Sequence, residues 1–340
     1  AGLEGFVAAA TETGVVHASS LLAAFRSLAS TALSAWAACD VIAEAHQIVA
    51  EFDSCANAIA AAASLASLVE GHNAAGRDAG DAVALAGTGV AADFVHACAL
   101  AAAAGIDSVL IADELAGETP RGVRLAPSSL PDAWRAVGTG LLPLPALPSP
   151  PPHPVVPSDA GSPLAEAALL DGCLRRRLMC PPKERAALDA LITARYVRDD
   201  AAVVVSAGGC GELAAVAAPL IARAGGDVAG DLWVFSSTRA ALTAVAAVKA
   251  AVFSLGVRDV ALGVLALASG SVMSVPGEGA WGEPVEAATQ IASAALDSGA
   301  PAGTVVMAGG SWDAFVAHEP TAARSVRAVA SAGGDVEIWF

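Results

Sequence analysis

Residues 141–157, LLPLPALPSPPPHPVVP, constrain this chain more than any other stretch. Proline locks φ and lacks an amide hydrogen, so this density cannot continue a helix or a central strand. The stretch reads as an extended polyproline-type connector and divides the chain. Its PxxP spacing has no adjacent Arg to orient a peptide-binding module, so a linker is the expectation. Helical patterning resumes at 163–179 and 183–196, broken at Pro181-Pro182. The expected organisation is therefore a domain at 1–140, a Pro-rich linker with helices at 141–197, and a domain at 198–340.

Each block is long enough to bury a core of its own. Hydrophobic residues make up 55% of the 340 and charged residues 15%, which excludes general disorder. Mean hydropathy is +0.60, but much of it comes from alanine. The best apolar run, 241–256, is interrupted by Lys249, and 58–69 is too short, so no membrane span is expected. The net charge of −16 argues against nucleic acid, whose phosphates are held by clustered Lys and Arg. The one basic cluster, Arg175-Arg176-Arg177, reads either as a solvated, ion-paired helix face or as a docking site for an acidic partner. Cysteines 39, 55, 98, 173, 180 and 210 have no zinc-site spacing, and a reducing intracellular compartment is the inference. Residues 1–10 have no basic n-region, so no signal peptide is expected there.

Periodicity predicts alternating strands and helices in both blocks. In the first, a helix at 18–35 leads to strands at 39–43 and 47–52. A helix at 55–69, a strand at 82–87, a helix at 94–103 and a strand at 107–112 follow. In the second, the order is a strand at 202–206, a helix at 212–224 and a hairpin at 228–235 around Gly230-Asp231. Then come a helix at 239–255, a strand at 259–267, a helix at 284–296 and strands at 304–307 and 335–340. The recurrence suggests an internal duplication. Local matches agree: 50–54 with 233–237, Asp93-Phe-Val-His with Glu283-Pro-Val-Glu, and 108–112 with 304–308.

The segments PGEGAWGEPVEAATQIAS (276–293), IARAGGDVAGDLWVF (221–235) and GLEGFVAAATETG (2–14) resemble the class III adenylyl/guanylyl cyclase homology domain. That resemblance implies an α/β (α+β) fold of two ferredoxin-like nucleotidyl-cyclase-type domains forming an intramolecular pseudo-dimer. It also implies two-metal chemistry at composite sites, with two carboxylates per site holding divalent cations. Carried across, the first metal Asp falls at Gly2 and the second at His46. The base-selecting Lys falls at Ile42, and the Asn and Arg at His96 and Leu100. In the second block the equivalents are Gly208, Asp231, Glu286 and Gln290. Degenerate nucleotide contacts fall to Asp93 and Glu283, and Asp231 is a metal ligand only if the second site is retained.

Gly2 with His46 cannot supply the oxygen ligands that Mg²⁺ demands. The expectation is thus a catalytically dead scaffold or regulatory protein without catalytic residues or cofactors, working through protein partners. A nucleotide sensor and a residual cyclase are the alternatives. On this alignment the chain begins beyond the family's first strand, and the former cleft is expected to fill with Leu100, Ile42 and Trp281. His46 and His96 are weighed as a metal pair against structural histidines. The loop 206–211 is weighed as a phosphate cradle against a tight turn, and its Cys210 as a nucleophile. The six tryptophans read as core or interface anchors.

Overall fold

The computed structural model describes residues 1–340 except 5, 45, 76–80, 141, 150, 153–161, 210–212, 256–261, 276–278, 324–326, 331–334 and 340. The chain forms two compact units. Unit 1 comprises Ala1–Val156 with Asp171–Asp189, and unit 2 comprises Pro157–Leu170 with Ala190–Phe340. Both are mixed α/β. Among the described residues no helix is long and apolar enough to cross a membrane.

Unit 1 opens with β1 (Gly2–Leu3), α1 (Phe6–Thr13) and α2 (Val15–Ala35). The helices are separated at Gly14, whose φ of +91° suits glycine. Along α2 every residue from Ala18 to Phe25 is buried, so the helix is enclosed on all sides there, and Leu28, Ala29 and Ala32 continue one face toward its end. The hairpin β2 (Asp40–Glu44) and β3 (Gln47–Glu51) follows, then α3 (Cys55–Ala74), β4 (Leu85–Val90), α4 (Phe94–Ala103) and β5 (Val109–Ala112). A 3₁₀ turn at Asp113–Glu118 leads to β6 (Arg124–Pro127) and β7 (Ala133–Gly138). The sheet order is β2-β3-β1-β4-β5-β7-β6. β1 lies antiparallel to both neighbours, while β4 and β5 are parallel. The first four strands thus form two interlocked split β-α-β crossovers. Ile59, Val90, Leu100, Val109 and Ile111 lie in the core. Gly89 lets α4 ride directly on β4, because a Cβ there would lie 2.1 Å from the Ala97 carbonyl oxygen.

The helices α5 (Pro163–Arg177) and α6 (Pro182–Tyr196) are each divided between the two units. They precede β8 (Val197–Ala207), α7 (Leu213–Arg223), β9 (Asp227–Ala229), β10 (Leu232–Phe235) and α8 (Thr238–Ser254). Then come β11 (Val264–Val275), β12 (Gly279–Trp281), α9 (Glu283–Asp297), β13 (Val305–Met307), α10 (Gly309–His318), α11 (Pro320–Ala323), β14 (Arg327–Ala330) and β15 (Val336–Trp339). The sheet runs β14-β15-β13-β11-β8-β10-β9, with β12 paired to β11. Read from the other edge, this is unit 1's strand order. The parallel pair β11/β13 stands where β4/β5 stands. Both sheet faces are covered. Ala202, Val204, Leu265 and Leu267 pack with Ile221, Val245 and Val248, and the alternating Ala201, Val203, Ala266 and Ala268 pack with Ala288 and Ala292. That explains the uninterrupted apolar run of β8.

Several expectations need correction. The first strand exists as Gly2–Leu3, inside its sheet between β3 and β4. The strand expected at 259–267 starts at Val264 and extends to Val275, while 259–261 lie outside the described residues. Gly263, at φ +58°, turns the chain just before it. Periodicity missed α1, β6, β7, β12, α10, α11 and β14. Of the proline stretch, the described residues form neither helix nor strand. Leu142 is buried in unit 1's core, and the Pro151 carbonyl accepts a hydrogen bond from Arg176 Nη1 at 2.9 Å. This end of the connector is therefore packed down rather than free.

Candidate functional site

Of the positions singled out by the cyclase resemblance, Gly2, His46 and Asp231 lie where the first strand of each sheet meets the neighbouring hairpin. In unit 1 the Leu3 amide donates to the His46 carbonyl over 2.8 Å. In unit 2 the Ser206 amide donates to the Asp231 carbonyl over 2.9 Å. His46 and Asp231 therefore occupy equivalent turns, each just before the strand that pairs with β1 or β8. Gly2 lies beside His46: a Cβ added to it would stand 3.6 Å from the His46 carbonyl oxygen and 3.5 Å from Ala86 Cβ. The structure brings the two unit 1 positions together, and neither carries a carboxylate. The His46 ring stacks on Phe6 with centroids 6.0 Å apart.

In unit 2 the Asp231 side chain is exposed. Gly208, the other expected metal position, offers no ligand, and a Cβ on it would sit 3.2 Å from Leu296. The expected positions do not fit a divalent-metal pair, because Gly2, His46 and Gly208 supply no side-chain oxygen and Asp231 alone leaves too few oxygen ligands for two hard cations. Among the described residues no group of three or more His, Cys, Asp or Glu is placed to hold a metal ion. His96 Nδ1 lies 3.6 Å from Glu114 Oε1, which gives it a structural neighbour of its own.

Asp93 is the N-cap of α4, and its carboxylate accepts the His96 amide at 2.9 Å. A cap of this kind satisfies an otherwise orphaned helix amide. Glu283 stands one position further in. It is the first residue of α9, with Gly282 in the cap position, and its negative charge suits the helix N-terminus. Leu100 is 4% exposed and belongs to unit 1's core, so it is not free to fill a cleft, while Ile42 is 52% exposed on the edge strand β2. Gln290, the expected counterpart of the cyclase arginine, is exposed and uncharged.

The described part of the loop 206–211 is a tight backbone crossing. A Cβ on Gly263 would lie 2.1 Å from the Ala207 carbonyl oxygen and 2.5 Å from the Gly209 nitrogen. Cys210 lies outside the described residues. Three other thiols are pushed above their ordinary pKa: Cys39 by hydrogen bonding to the Asp53 carboxylate, and Cys55 and Cys180 by burial. This is the opposite of nucleophile activation. Cys39, Cys55, Cys98, Cys173 and Cys180 form no disulfide. Of the tryptophans, Trp233 is buried and Trp36 Nε1 donates to Ser64 Oγ at 2.8 Å.

Each arginine of the cluster has an acidic partner. Arg175 pairs with Asp171 at 2.7 Å, Arg176 with Glu184, and Arg177 with Asp189. These pairs favour the ion-paired helix face over the docking reading. Sequence reasoning missed a buried network in unit 1. Arg177 Nη1 donates to His17 Nδ1 at 3.0 Å, and Arg185 donates to both Asp81 oxygens at 2.8 and 3.4 Å. Asp81 is 3% exposed. Nothing local marks it, because its members are far apart along the chain.

Unit 1 also has an open cleft of about 410 Å³, lined by Ala63, Ser67, Glu70, Asn73, Asp107 and Thr139 among others. Most of its polar groups already serve the fold. Asn73 bonds both the amide and the carbonyl of Val83, Asp107 accepts the Leu85 amide, and Ser67 donates to Thr139. No protein-family model matches the chain, and no curated protein matches it.

Proposed function

We propose that the chain is a non-catalytic scaffold or regulatory protein built from two ferredoxin-like, cyclase-type units that pair within the chain and act through protein contacts. The observation that carries the reading is the pair of equivalent turns at His46 and Asp231. Each is held to its β1 or β8 strand by the same backbone hydrogen bond, yet neither expected metal position in unit 1 is a carboxylate and Gly208 leaves Asp231 without a carboxylate partner at the other expected position. The shared strand order of the two sheets supports a common origin for the units. A transition-state arginine and two metal-binding carboxylates supply most of the charge stabilisation in phosphoryl transfer. The corresponding positions hold Leu100 and Gln290, and Gly2, His46 and Gly208.

Calorimetry with ATP and GTP, with and without Mg²⁺ or Mn²⁺, together with a cyclic-nucleotide assay, tests this. Neither binding nor product is expected. The exposed Asp231 carboxylate motivates the one rival outcome: nucleotide binding without product would favour a sensor. Turnover abolished by Asp231→Asn would overturn the proposal outright.

A further inference from the structure

In unit 2 the ammonium of Lys249, on α8, donates to the Gly303 carbonyl at 2.7 Å, just before β13. Because the two sheets share one strand order, the counterparts of both residues can be located in unit 1, each by its own register. Ser237 and Ser54 cap the equivalent helices α8 and α3. Counted from those caps, Lys249 corresponds to Ala66. Along the parallel strand pairs, the Leu265 amide donates to the Thr304 carbonyl at 2.9 Å and the Thr88 amide to the Ser108 carbonyl at 3.0 Å. Gly303 therefore corresponds to Asp107. Where unit 2 places a lysine side chain, unit 1 has alanine, and Ala66 and Asp107 both line its open cleft of about 410 Å³.

We infer that this cleft binds an alkylammonium ion, which takes in unit 1 the place that the Lys249 side chain takes in unit 2. Its volume falls within the range of small-molecule sites. Ala63, Ala66, Val69, Val109 and Ala136 offer apolar wall to an alkyl chain. Glu70 and Asp107 offer negative charge, and among the described residues neither is paired with a basic side chain. Asp107 Oδ1 accepts the Leu85 amide at 2.8 Å, which fixes the carboxylate and leaves Oδ2 to meet an ammonium. The neutral polar groups are bonded within the fold, Asn73 to Val83 and Ser67 to Thr139, so charge selects the ligand. The Arg124 guanidinium lies over Gly138 on the β7 side, which disfavours a second ammonium there and selects a monocation with one apolar end. Both carboxylates are exposed, so the affinity is weak, on the order of millimolar.

The inference holds whether or not either unit handles a nucleotide. Titrating the full chain with n-butylammonium chloride, the lysine side-chain analogue, at about 150 mM salt should shift the amides around Ala66–Glu70, Asp107 and Thr139 saturably. n-Butanol, similar in shape but uncharged, should not. Glu70→Gln and Asp107→Asn should each weaken binding roughly threefold, as expected for exposed charges. Ala66→Lys should abolish it by carrying an ammonium on the chain itself. That variant should also melt higher than Ala66→Met, because the two residues suit a helix equally and only lysine brings a charge to Asp107. Circular dichroism of each variant should match the parent. Shifts that fail to saturate, that spread over the acidic surface or that butanol reproduces would overturn the inference. So would an Ala66→Lys chain that misfolds or is no more stable than Ala66→Met.

Discussion

Arg177 Nη1 reaches Nδ1 of His17 at 3.0 Å across 160 residues of chain, tying the end of α5 to α2 within unit 1. Because arginine can only donate, the imidazole nitrogen accepts, so the ring proton sits on Nε2. The same guanidinium holds Asp189, and Asp81 and Arg185 complete the buried group.

Removing one member leaves its partner's charge stranded. Asp81→Ala should cost about 3 kcal/mol, since the Arg185 charge then faces a site 3% exposed without its counter-ion. Urea unfolding followed by a probe in unit 1 measures this. A loss below about 1 kcal/mol would mean that water already screens the pair.

Gly89→Ala should destabilise unit 1 by about 3 kcal/mol or displace α4 from β4. The new Cβ would otherwise lie 2.1 Å from the Ala97 carbonyl oxygen. Chemical denaturation and the amide shifts of Phe94–Ala103 read both consequences. An unchanged midpoint would mean that the helix does not approach so closely.

Ser54 and Ser237 cap α3 and α8, each accepting the amide three residues on. Ser237→Ala should lower the stability of unit 2 by about 1 kcal/mol. The effect of Ser54→Ala should be smaller and confined to unit 1, because its bond is 3.5 Å against 3.2 Å for Ser237. Hydrogen exchange in the first turn of each helix distinguishes the two.

The Cys39 thiol is pushed up chiefly by hydrogen bonding to Asp53. Alkylation follows the thiolate fraction, so Asp53→Asn should speed iodoacetamide labelling of Cys39 at about pH 8 and leave Cys98 unchanged. Cys180 is raised mainly by burial and next by Glu184. Its folded pKa exceeds the unfolded one, so its stabilising contribution is complete below about pH 8.5 and is lost as pH rises through the folded value. Thermal melts at about pH 8 and about pH 10 should therefore converge between the parent and Cys180→Ala as pH rises.

Local features were legible in the chain itself. The helix at 94–103 follows from Asp93 as cap and a run of residues that suit a helix interior. The hairpin at Gly230-Asp231 follows from its turn residues. The strands β6 and β7 escape a periodicity reading because Arg124, Pro127 and Arg135 break their alternation, and they are held by pairing with each other and with β5. Within the candidate site, the chain alone showed that Gly2, His46 and Gly208 cannot replace a carboxylate pair. Tertiary structure decided the rest. It showed that His46 and Asp231 share one backbone hydrogen bond to the β1 or β8 strand, that Leu100 faces inward, and that the arginine cluster is already paired. Sequence alone determined local propensity and the chemistry each side chain can offer, because those are properties of a residue and its near neighbours. Only the folded chain determined which distant groups meet and which faces stay bare, because those depend on contacts between residues far apart along the chain.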